Sequence, residues 1–252
     1  MSERVPVSVS VCMATYNGER FVEEQLRSIL DQLPSDGEIL VVDDASTDGT
    51  VAVVTGMGDP RIRVFVHADN RGYVSTFGEA LERADGAAIL LSDQDDVWVP
   101  GRLDVLVAAL QQVDVVASNL ALYPDGAPLP TPLGGTDWNL TASTSTHRIR
   151  NLLGVLTGSM PYFGCAMAMT ASARSRILPF PAFLTESHDL WIALCGNADR
   201  SIAHVEQITV LRRLHDANTS PSRPRDLGTV MKARWMLVRA ILVAYRRARR
   251  GR

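Results

Sequence analysis

Apolar and polar positions follow two rhythms along the first 120 residues. Val5, Val7, Val9 and Val11 alternate with Pro6, Ser8 and Ser10, a period of two that predicts a strand over Val5–Ala14. Thr15-Tyr16-Asn17-Gly18, a turn-forming cluster, ends it. Phe21, Gln25, Leu26, Ile29 and Leu30 then recur at helical spacing. Ile39–Val42 is a short, fully apolar strand, and Ser46-Thr47-Asp48 can cap the helix that follows. Ile62–Val66, a helix near Tyr73–Ala84, Ala87–Leu91, a helix after Pro100 and Val113–Ala117 continue the alternation. Strands spaced by helices in this way build βαβ units, so the expected fold class is α/β with a central, mainly parallel sheet.

Beyond Leu122 the rhythm breaks. Tyr123–Ser145 is rich in Pro, Gly, Thr and Ser and reads as a long loop. A strand near Cys165–Met169, helices near Ala171–Leu178 and Asp189–Cys195, and strands before Leu214 complete the first unit rather than found a second. Pro221-Ser222-Arg223-Pro224 reads as a linker. The expected organisation is one domain over 1–224, with halves over about 1–122 and 123–224, and a basic amphipathic helix over 225–252.

Composition narrows this picture. Apolar residues make up 46% of the 252 and charged residues 21%, a balance that argues against disorder. The alternating N-terminal pattern has no continuous apolar core of the signal-peptide kind. The apolar run Trp235–Tyr245 is eleven residues interrupted by Arg239, against the roughly twenty that a bilayer span needs. Cys12, Cys165 and Cys195 are widely spaced and odd in number, which argues against disulfides and structural zinc and fits a reducing cytoplasm.

Charge adds an asymmetry. The net charge of −3 combines nine Lys or Arg and one Asp over 225–252 with 16 basic and 27 acidic residues elsewhere. An acidic body is a poor partner for nucleic acid, whereas the tail can meet an anionic surface. Leu227, Val230, Met231, Val238, Ile241, Leu242 and Tyr245 fall near one face of the tail helix. Two readings stay open there: peripheral contact with an anionic membrane, or a helix docked on the body with a solvated basic end. Lys232 is the only lysine, so cationic chemistry in the body falls to arginine or a metal.

Candidate chemistry gathers at strand ends. Thr15–Asn17, Asp43-Asp44 and Asp93–Asp96 each follow an apolar strand, where open parallel sheets bind ligands. Three carboxylates within Asp93-Gln94-Asp95-Asp96 repel one another unless solvent, a helix cap or a cation screens them. Mg²⁺ or Mn²⁺ suits such oxygens; a plain helix N-terminus suits them as well. Asp43-Asp44 also resembles the acidic pair of response regulators. That fold needs its pair at the end of the first strand and a lysine late in the sheet, and this chain has neither.

Taken in order, VSVCMATYNGERFVEEQLRSIL, EILVVDDASTDGT and NRGYVSTFGEALERADGAAILLSDQDDVWVPGRL resemble the inverting glycosyltransferases of family two, which have the GT-A fold. The similarity is nearly continuous over 7–122 and resumes at Gly164–Met169, Glu186–Leu194 and Leu211–Ser220. The SDQDDVW and HDLW forms look like rhamnosyltransferase-type members that act on surface polysaccharides. The resemblance implies sugar transfer from a UDP- or dTDP-sugar to a hydroxyl of a glycan or lipid-linked glycan, with Mg²⁺ or Mn²⁺. It implies a cytoplasmic protein, or one peripheral at the inner face of the membrane. Ala14, Thr15, Tyr16 and Asn17 would lie against the nucleobase, Asp44 would bond the pyrimidine, and Asp93 would touch the ribose. Asp95 or Asp96 would hold the metal with His215, Arg212 would face the diphosphate, and Asp189 would be the base. Ala14 departs from the family's usual Pro or Thr. Phe77-Gly78-Glu79 stands where many members have an Arg-Asn pair, which weakens the case for donor contacts from that helix.

Rival readings come from the same residues. Asp189 also fits a helix N-cap, and His188 an acceptor contact. Trp98, Trp138 and Trp191 fit sugar-stacking walls or the core. His67, His147 and His204 have no chemical company in the sequence and read as structural. A nucleotidyltransferase would carry a Gly-rich, Lys/Arg-containing N-terminal signature, and residues 12–30 hold only Gly18. A non-catalytic descendant of the fold is told apart by testing for metal-dependent turnover.

Overall fold

The computed structural model describes residues 7–131, 134–135, 138–215 and 226–250. The Pro221–Pro224 linker and the Asp216–Ser220 end of the last motif lie outside the described residues.

The first strands are β1 (Val9–Thr15), β2 (Glu38–Asp43), β3 (Ile62–Val66) and β4 (Ala88–Ser92). Their crossovers are α1 (Val22–Leu30), α2 (Thr50–Gly56) and α3 (Tyr73–Arg83). All four strands pair in parallel in the order β3-β2-β1-β4. Thr15 registers with Asp43 and Met13 with Ser92, so these strands end level and deliver their following residues to one rim.

β5 (Val97–Trp98), α4 (Arg102–Leu110), β6 (Val115–Leu122) and β7 (Ala127–Pro128) come next. Then come α5 (Arg148–Thr157), β8 (Met167–Thr170), α6 (Ala171–Ile177), α7 (His188–Asp199) and β9 (Ile202–Arg212). The sheet continues β4-β8-β6-β9-β5, with β7 on β6. β8 is antiparallel to both β4 and β6, while β6 and β9 are parallel. Hence β1, β2, β3, β4, β6 and β9 run one way and β5, β7 and β8 the other.

Strand periodicity sorts the core into two layers. Val11, Met13, Ile39 and Val41 face Leu26, Ile29 and Leu106 on one side. Cys12, Leu40, Val42 and Ile89 face Phe77, Leu81 and Trp191 on the other. The stretch before Leu214, expected as several strands, is the single strand β9, with an irregular register opposite Ser118–Leu120. α5 arises within a stretch given no element by its pattern. Its buried residues are Asn151, Gly154 and Val155, with Leu152 and Leu156 packed alongside, while Ile149 and Leu153 are exposed, so its apolar residues fall on both faces.

The last helix, α8 (Leu227–Arg250), packs along α7. Met236, Leu237, Ala240, Ala244 and Ala248 turn inward. Burying Met236 and Leu237 contributes about 1.5–3 kcal/mol each. The apolar face seen in the sequence is divided: Ile241 and Tyr245 pack against the core, whereas Met231 and Leu242 are 67% and 54% exposed, beside Trp235 at 66%. The side chain of Leu227 lies outside the description. Docking on the body thus coexists with an apolar outer stripe. No helix among the described residues is long and apolar enough to cross a membrane.

Candidate active site

The rim is built by hydrogen bonds that split the Asp43-Asp44 pair into two jobs. Asp43 is fully buried and accepts from Thr15 Oγ1 at 2.8 Å, Ser46 Oγ at 2.6 Å and Ser46 N at 2.8 Å. It is consumed in holding the turn, which leaves Asp44 to face the cavity. Asn17, at φ 49°, donates its N–H to Ser46 Oγ and accepts the Thr47 N–H at Oδ1. Asn tolerates this left-handed geometry better than most residues. Gln94 clamps the neighbouring loop, accepting the Tyr16 N–H at 2.8 Å and donating to its carbonyl at 3.0 Å. A Cβ on Gly18 would collide with the same Gln94 amide, so glycine there permits the close approach.

These loops enclose a cavity of about 430 Å³. Ala14, Thr15, Tyr16 and Asp44 line one end; Asp93, Asp189 and Arg212 also face it. Seven residues predicted to bind donor or take a proton therefore share one cavity, drawn from strand ends and helix starts far apart in sequence. Asn17 does not line it and serves the loop instead. Nor do Asp95, Asp96 and His215.

The acidic cluster divides. Ligand atoms of Asp93, Asp96 and Cys165 all lie within 4.8 Å of one another. Asp95 Oδ2 instead meets His215 Nε2 at 2.8 Å, and the His215 ring stacks on Phe21 at 4.6 Å. Burial pushes Asp93 well above the usual carboxylate range, and the charges of Asp96 and Asp95 push it further, against Arg212. Burial likewise raises Asp96 to about 6, with Asp95 adding and the Cys165 thiol, the Arg213 N–H and Arg212 opposing. Asp96 Oδ2 is buried and has no hydrogen-bond partner among the described residues. A carboxylate oxygen left in that state, beside a second carboxylate, fits a divalent cation.

Arg102 lies beneath this cluster and was not foreseen. Its guanidinium donates to Thr209 Oγ1 and the Cys165 carbonyl at 2.6 Å each and to the Leu91 carbonyl at 3.3 Å, and stacks over Trp98. Burial lowers it to about 10, opposed by Cys165, Asp96 and Asp93. Trp98 is thus a core residue over a cation, and Trp191 is wholly buried with its Nε1 on the Ile177 carbonyl. Neither is a sugar-stacking wall. Trp138 donates from Nε1 to the Ser159 carbonyl and packs edge-on against Phe163, which itself lines the cavity.

Asp189 stands in the first turn of α7, after Ser187 at φ 63°. Its Oδ1 accepts the Leu190 N–H at 2.7 Å. Burial raises Asp189 to about 6, against the Leu190 and Gly164 N–H groups and Arg212. That places its ionisation near neutrality, as a general base requires. His188 stacks on Phe77 at 4.3 Å and burial lowers it to about 3, so it stays neutral beside Asp189. His204 is a satisfied core histidine, bonded to the Tyr162 hydroxyl at 2.8 Å and held near 4 by burial.

His67 departs from its structural reading. It lies buried between Asp44 and Glu79, at 2.9 Å from each. The only sequence signal was Glu79 itself, noted as a departure from the family's Arg-Asn pair.

Comparison with known proteins follows this geometry. The profile described as Glycosyl transferase family 2 matches residues 10–174. The UDP-Glc:alpha-D-GlcNAc-diphosphoundecaprenol beta-1,3-glucosyltransferase WfgD of Escherichia coli is 31% identical over 102 residues, 40% of this chain and 40% of that protein. The dTDP-rhamnosyl transferase RfbG of Shigella flexneri is 34% identical over 126 residues, 45% of this chain and 43% of that protein. Among solved structures, S. aureus TarS 1-349 in complex with UDP superposes with a TM-score of 0.69 at 20% identity, covering 94% of this chain and 65% of TarS. The superposition shows a shared GT-A fold. The chain thus spans less than half the length of these two curated relatives.

Proposed function

The chain belongs to glycosyl transferase family 2, and from that membership we propose that it is an inverting glycosyltransferase of cell-surface polysaccharide synthesis. It would take a sugar from a UDP- or dTDP-sugar and join it to a hydroxyl of a glycan or lipid-linked glycan. One observation carries the reading: Asp44, Asp93, Arg212 and Asp189 converge on a single cavity from four separate elements. The names of two relatives support its chemistry, one acting from dTDP with rhamnose and one on a diphosphoundecaprenol-linked sugar. TarS, solved with UDP, supports a uridine nucleotide as the first donor to test.

In this mechanism Asp44 accepts the ring N–H of a pyrimidine, and Tyr16, 47% exposed at the cavity mouth, stacks on the base. Asp189 takes the proton of the acceptor hydroxyl as its oxygen bonds to the anomeric carbon. The carbon–oxygen bond to the diphosphate breaks on the opposite face, and the leaving diphosphate keeps the electron pair. Arg212 offsets that negative charge. Asp93 and Asp96 would hold Mg²⁺ or Mn²⁺, with Asp95 and His215 adjacent; when bound, such an ion supplies further positive charge to the diphosphate.

A thermal-shift panel with UDP, dTDP, GDP and CMP, each with and without Mn²⁺ or Mg²⁺, tests the donor site. A nucleotide at a hundred times its Kd is expected to stabilise the fold by about 2.7 kcal/mol. Stabilisation by one diphosphate only with metal is the expected result. A folded protein that responds to none would overturn the reading.

The reading also places the protein in the cytoplasm, peripheral to the inner face of the membrane through α8. Exposed Met231, Trp235 and Leu242 beside a basic helix end support contact with anionic lipid. Arg247 is unsuited to testing this, since its guanidinium donates to the carbonyls of Arg176, Ile177 and Pro179. Arg246 and Arg250 are exposed. Arg246→Glu with Arg250→Glu is expected to abolish co-sedimentation with phosphatidylserine vesicles; equal binding by the variant and the parent would remove the membrane contact.

A further inference from the structure

We infer that His67 is a positioning residue for nucleobase selection: held as an imidazolium between Asp44 and Glu79, it keeps Asp44 an ionised, acceptor-only carboxylate. The inference rests on the donor reading above, in which Asp44 meets the base. The ligand class it selects is a nucleotide whose base presents a ring N–H, uracil or thymine, over one that presents a ring lone pair, cytosine.

Geometry carries the charge assignment. His67 Nδ1 lies 2.9 Å from Asp44 Oδ1, and Nε2 lies 2.9 Å from Glu79 Oε2. A neutral imidazole has one N–H and one lone pair, so it can satisfy only one carboxylate and repels the other. Two short contacts to two carboxylates call for two N–H groups. The side chains of His67 and Asp44 are each 4% exposed and that of Glu79 25%, so the imidazole itself is shielded from water and finds its partners in these carboxylates. Burial alone would lower the histidine; the bonds to Asp44 and then Glu79 outweigh it and raise it.

Every other partner of Asp44 is also a donor. Oδ1 accepts the Arg71 N–H and Oδ2 the Gly72 N–H, each at 2.8 Å. Gly72 sits at φ 82°, a conformation that favours glycine and turns its N–H toward the carboxylate. Burial raises Asp44, but these three partners outweigh it and hold it below the usual carboxylate range. Asp44 therefore accepts and does not donate. Uracil and thymine offer N–H at the ring position where cytosine offers a lone pair, so an ionised Asp44 attracts the first two and repels the third.

Remove the imidazolium, and Asp44 becomes a buried carboxylate with two backbone donors. Desolvation then favours its protonated form, which can donate to cytosine. Two further cations face the cluster: Arg83 pairs with Glu79 Oε1 at 2.9 Å, and Arg71 Nη1 lies 4.0 Å from Glu79 Oε2. Arg83 helps to hold Glu79 ionised, while Arg71 opposes the charge on His67 without outweighing the two carboxylates. His67 also ties α3, which carries the cavity residues Tyr73, Thr76 and Phe77, to the end of β2.

The test measures UDP and CDP affinity by calorimetry between about pH 6 and 9, with the His67 ring followed by NMR. His67→Gln is expected to weaken UDP about tenfold, to leave CDP unchanged or tighter, and to give a flat ratio to pH. In the parent protein the preference for UDP is complete while His67 is protonated and declines as pH rises through its raised pKa. Glu79→Gln removes one stabilising carboxylate and moves that midpoint to lower pH. Dividing each profile by that of His67→Gln cancels ionisation of the nucleotide. Wild-type UDP affinity and selectivity in His67→Gln would overturn the inference and leave the donor reading standing. No uridine or thymidine nucleotide bound by the folded parent would overturn both. Should His67→Gln fail to fold, the parent's NMR titration decides: a His67 ring already neutral at pH 7 overturns the assignment.

Discussion

Asp189→Asn is expected to lower the rate of sugar transfer by about 10²–10⁴-fold, the range that a positioned general base supplies, with UDP affinity unchanged. The amide keeps the size of the side chain and still accepts from the Leu190 N–H through its oxygen. What it loses is the ability to take a proton. Because burial lifts Asp189 to about 6, the parent enzyme should lose kcat/KM as pH falls through about 6, where the base becomes protonated. The variant should lack that acidic limb. Steady-state rates across the pH range check both points, and transfer at parental rates would end the assignment of the base.

The same shift predicts an opposite effect on stability. The native state binds this proton more tightly than the unfolded chain, whose ordinary carboxylate has a pKa of 3.8. Stabilisation by protonation is therefore complete below about pH 4 and is lost as pH rises through about 6. At pH 7 the parent carries a buried charge that the amide does not. Asp189→Asn should then melt at a higher temperature than the parent at pH 7 and at the same temperature near pH 4. A gain in stability coupled to lost turnover is the mark of a functional, rather than structural, carboxylate.

Arg102→Met is expected to cost about 3–5 kcal/mol of stability, because it removes a buried cation from beneath the buried Asp96 and the half-buried Asp93. It also strips donors from Thr209 Oγ1 and from the Cys165 and Leu91 carbonyls, which the guanidinium serves together. Arg102→Lys should lose less, since it keeps the charge but cannot reach all three acceptors at once. Urea denaturation of both variants, in chelator, gives the values. A loss under about 1 kcal/mol for Arg102→Met would mean that the acids are already neutral or that water replaces the guanidinium. Adding Asp96→Asn to Arg102→Met should recover part of the loss, as expected of groups that interact directly.

The first four strands were legible because each is short, apolar and followed by polar residues, and these signals are local. Ile62–Val66 appears as β3 without change, and α3 ends one residue before Ala84. Elements whose partners lie far away were harder to read. α5 packs through Asn151 and Gly154 as well as Val155, and exposes Ile149 and Leu153, so its apolar residues fall on no single face. α8 docks through Met236 and Leu237 together with Ala240, Ala244 and Ala248, whose small size allows close approach, while Met231, Trp235 and Leu242 lie outside. The site followed the same rule. Motif residues announced themselves by type and order, but His67 meets Asp44 across 23 residues and Glu79 across 12, with no pattern linking them. Arg102 read as one more helical arginine, because nothing local marks a side chain that bonds across 63 and 107 residues.

The order of strands in the sheet also sets the order of assembly during synthesis. β1 to β4 can pair as soon as they leave the ribosome, and they bring Asp44 and Asp93 together early. β8 must then slot between β4 and β6, and β9 between β6 and β5, before the sheet is whole. Arg213 reaches back 117 residues to Asp96, so the acidic cluster waits, unaccompanied by Arg212 and His215, until β9 and the residues after it have been made. Pairings of such long sequence separation form slowly. A nascent chain stalled before β9 would hold a half-built cavity and an open edge on β6, the kind of surface that recruits chaperones or aggregates. Closure of the sheet and completion of the acidic cluster therefore arrive together, with β9.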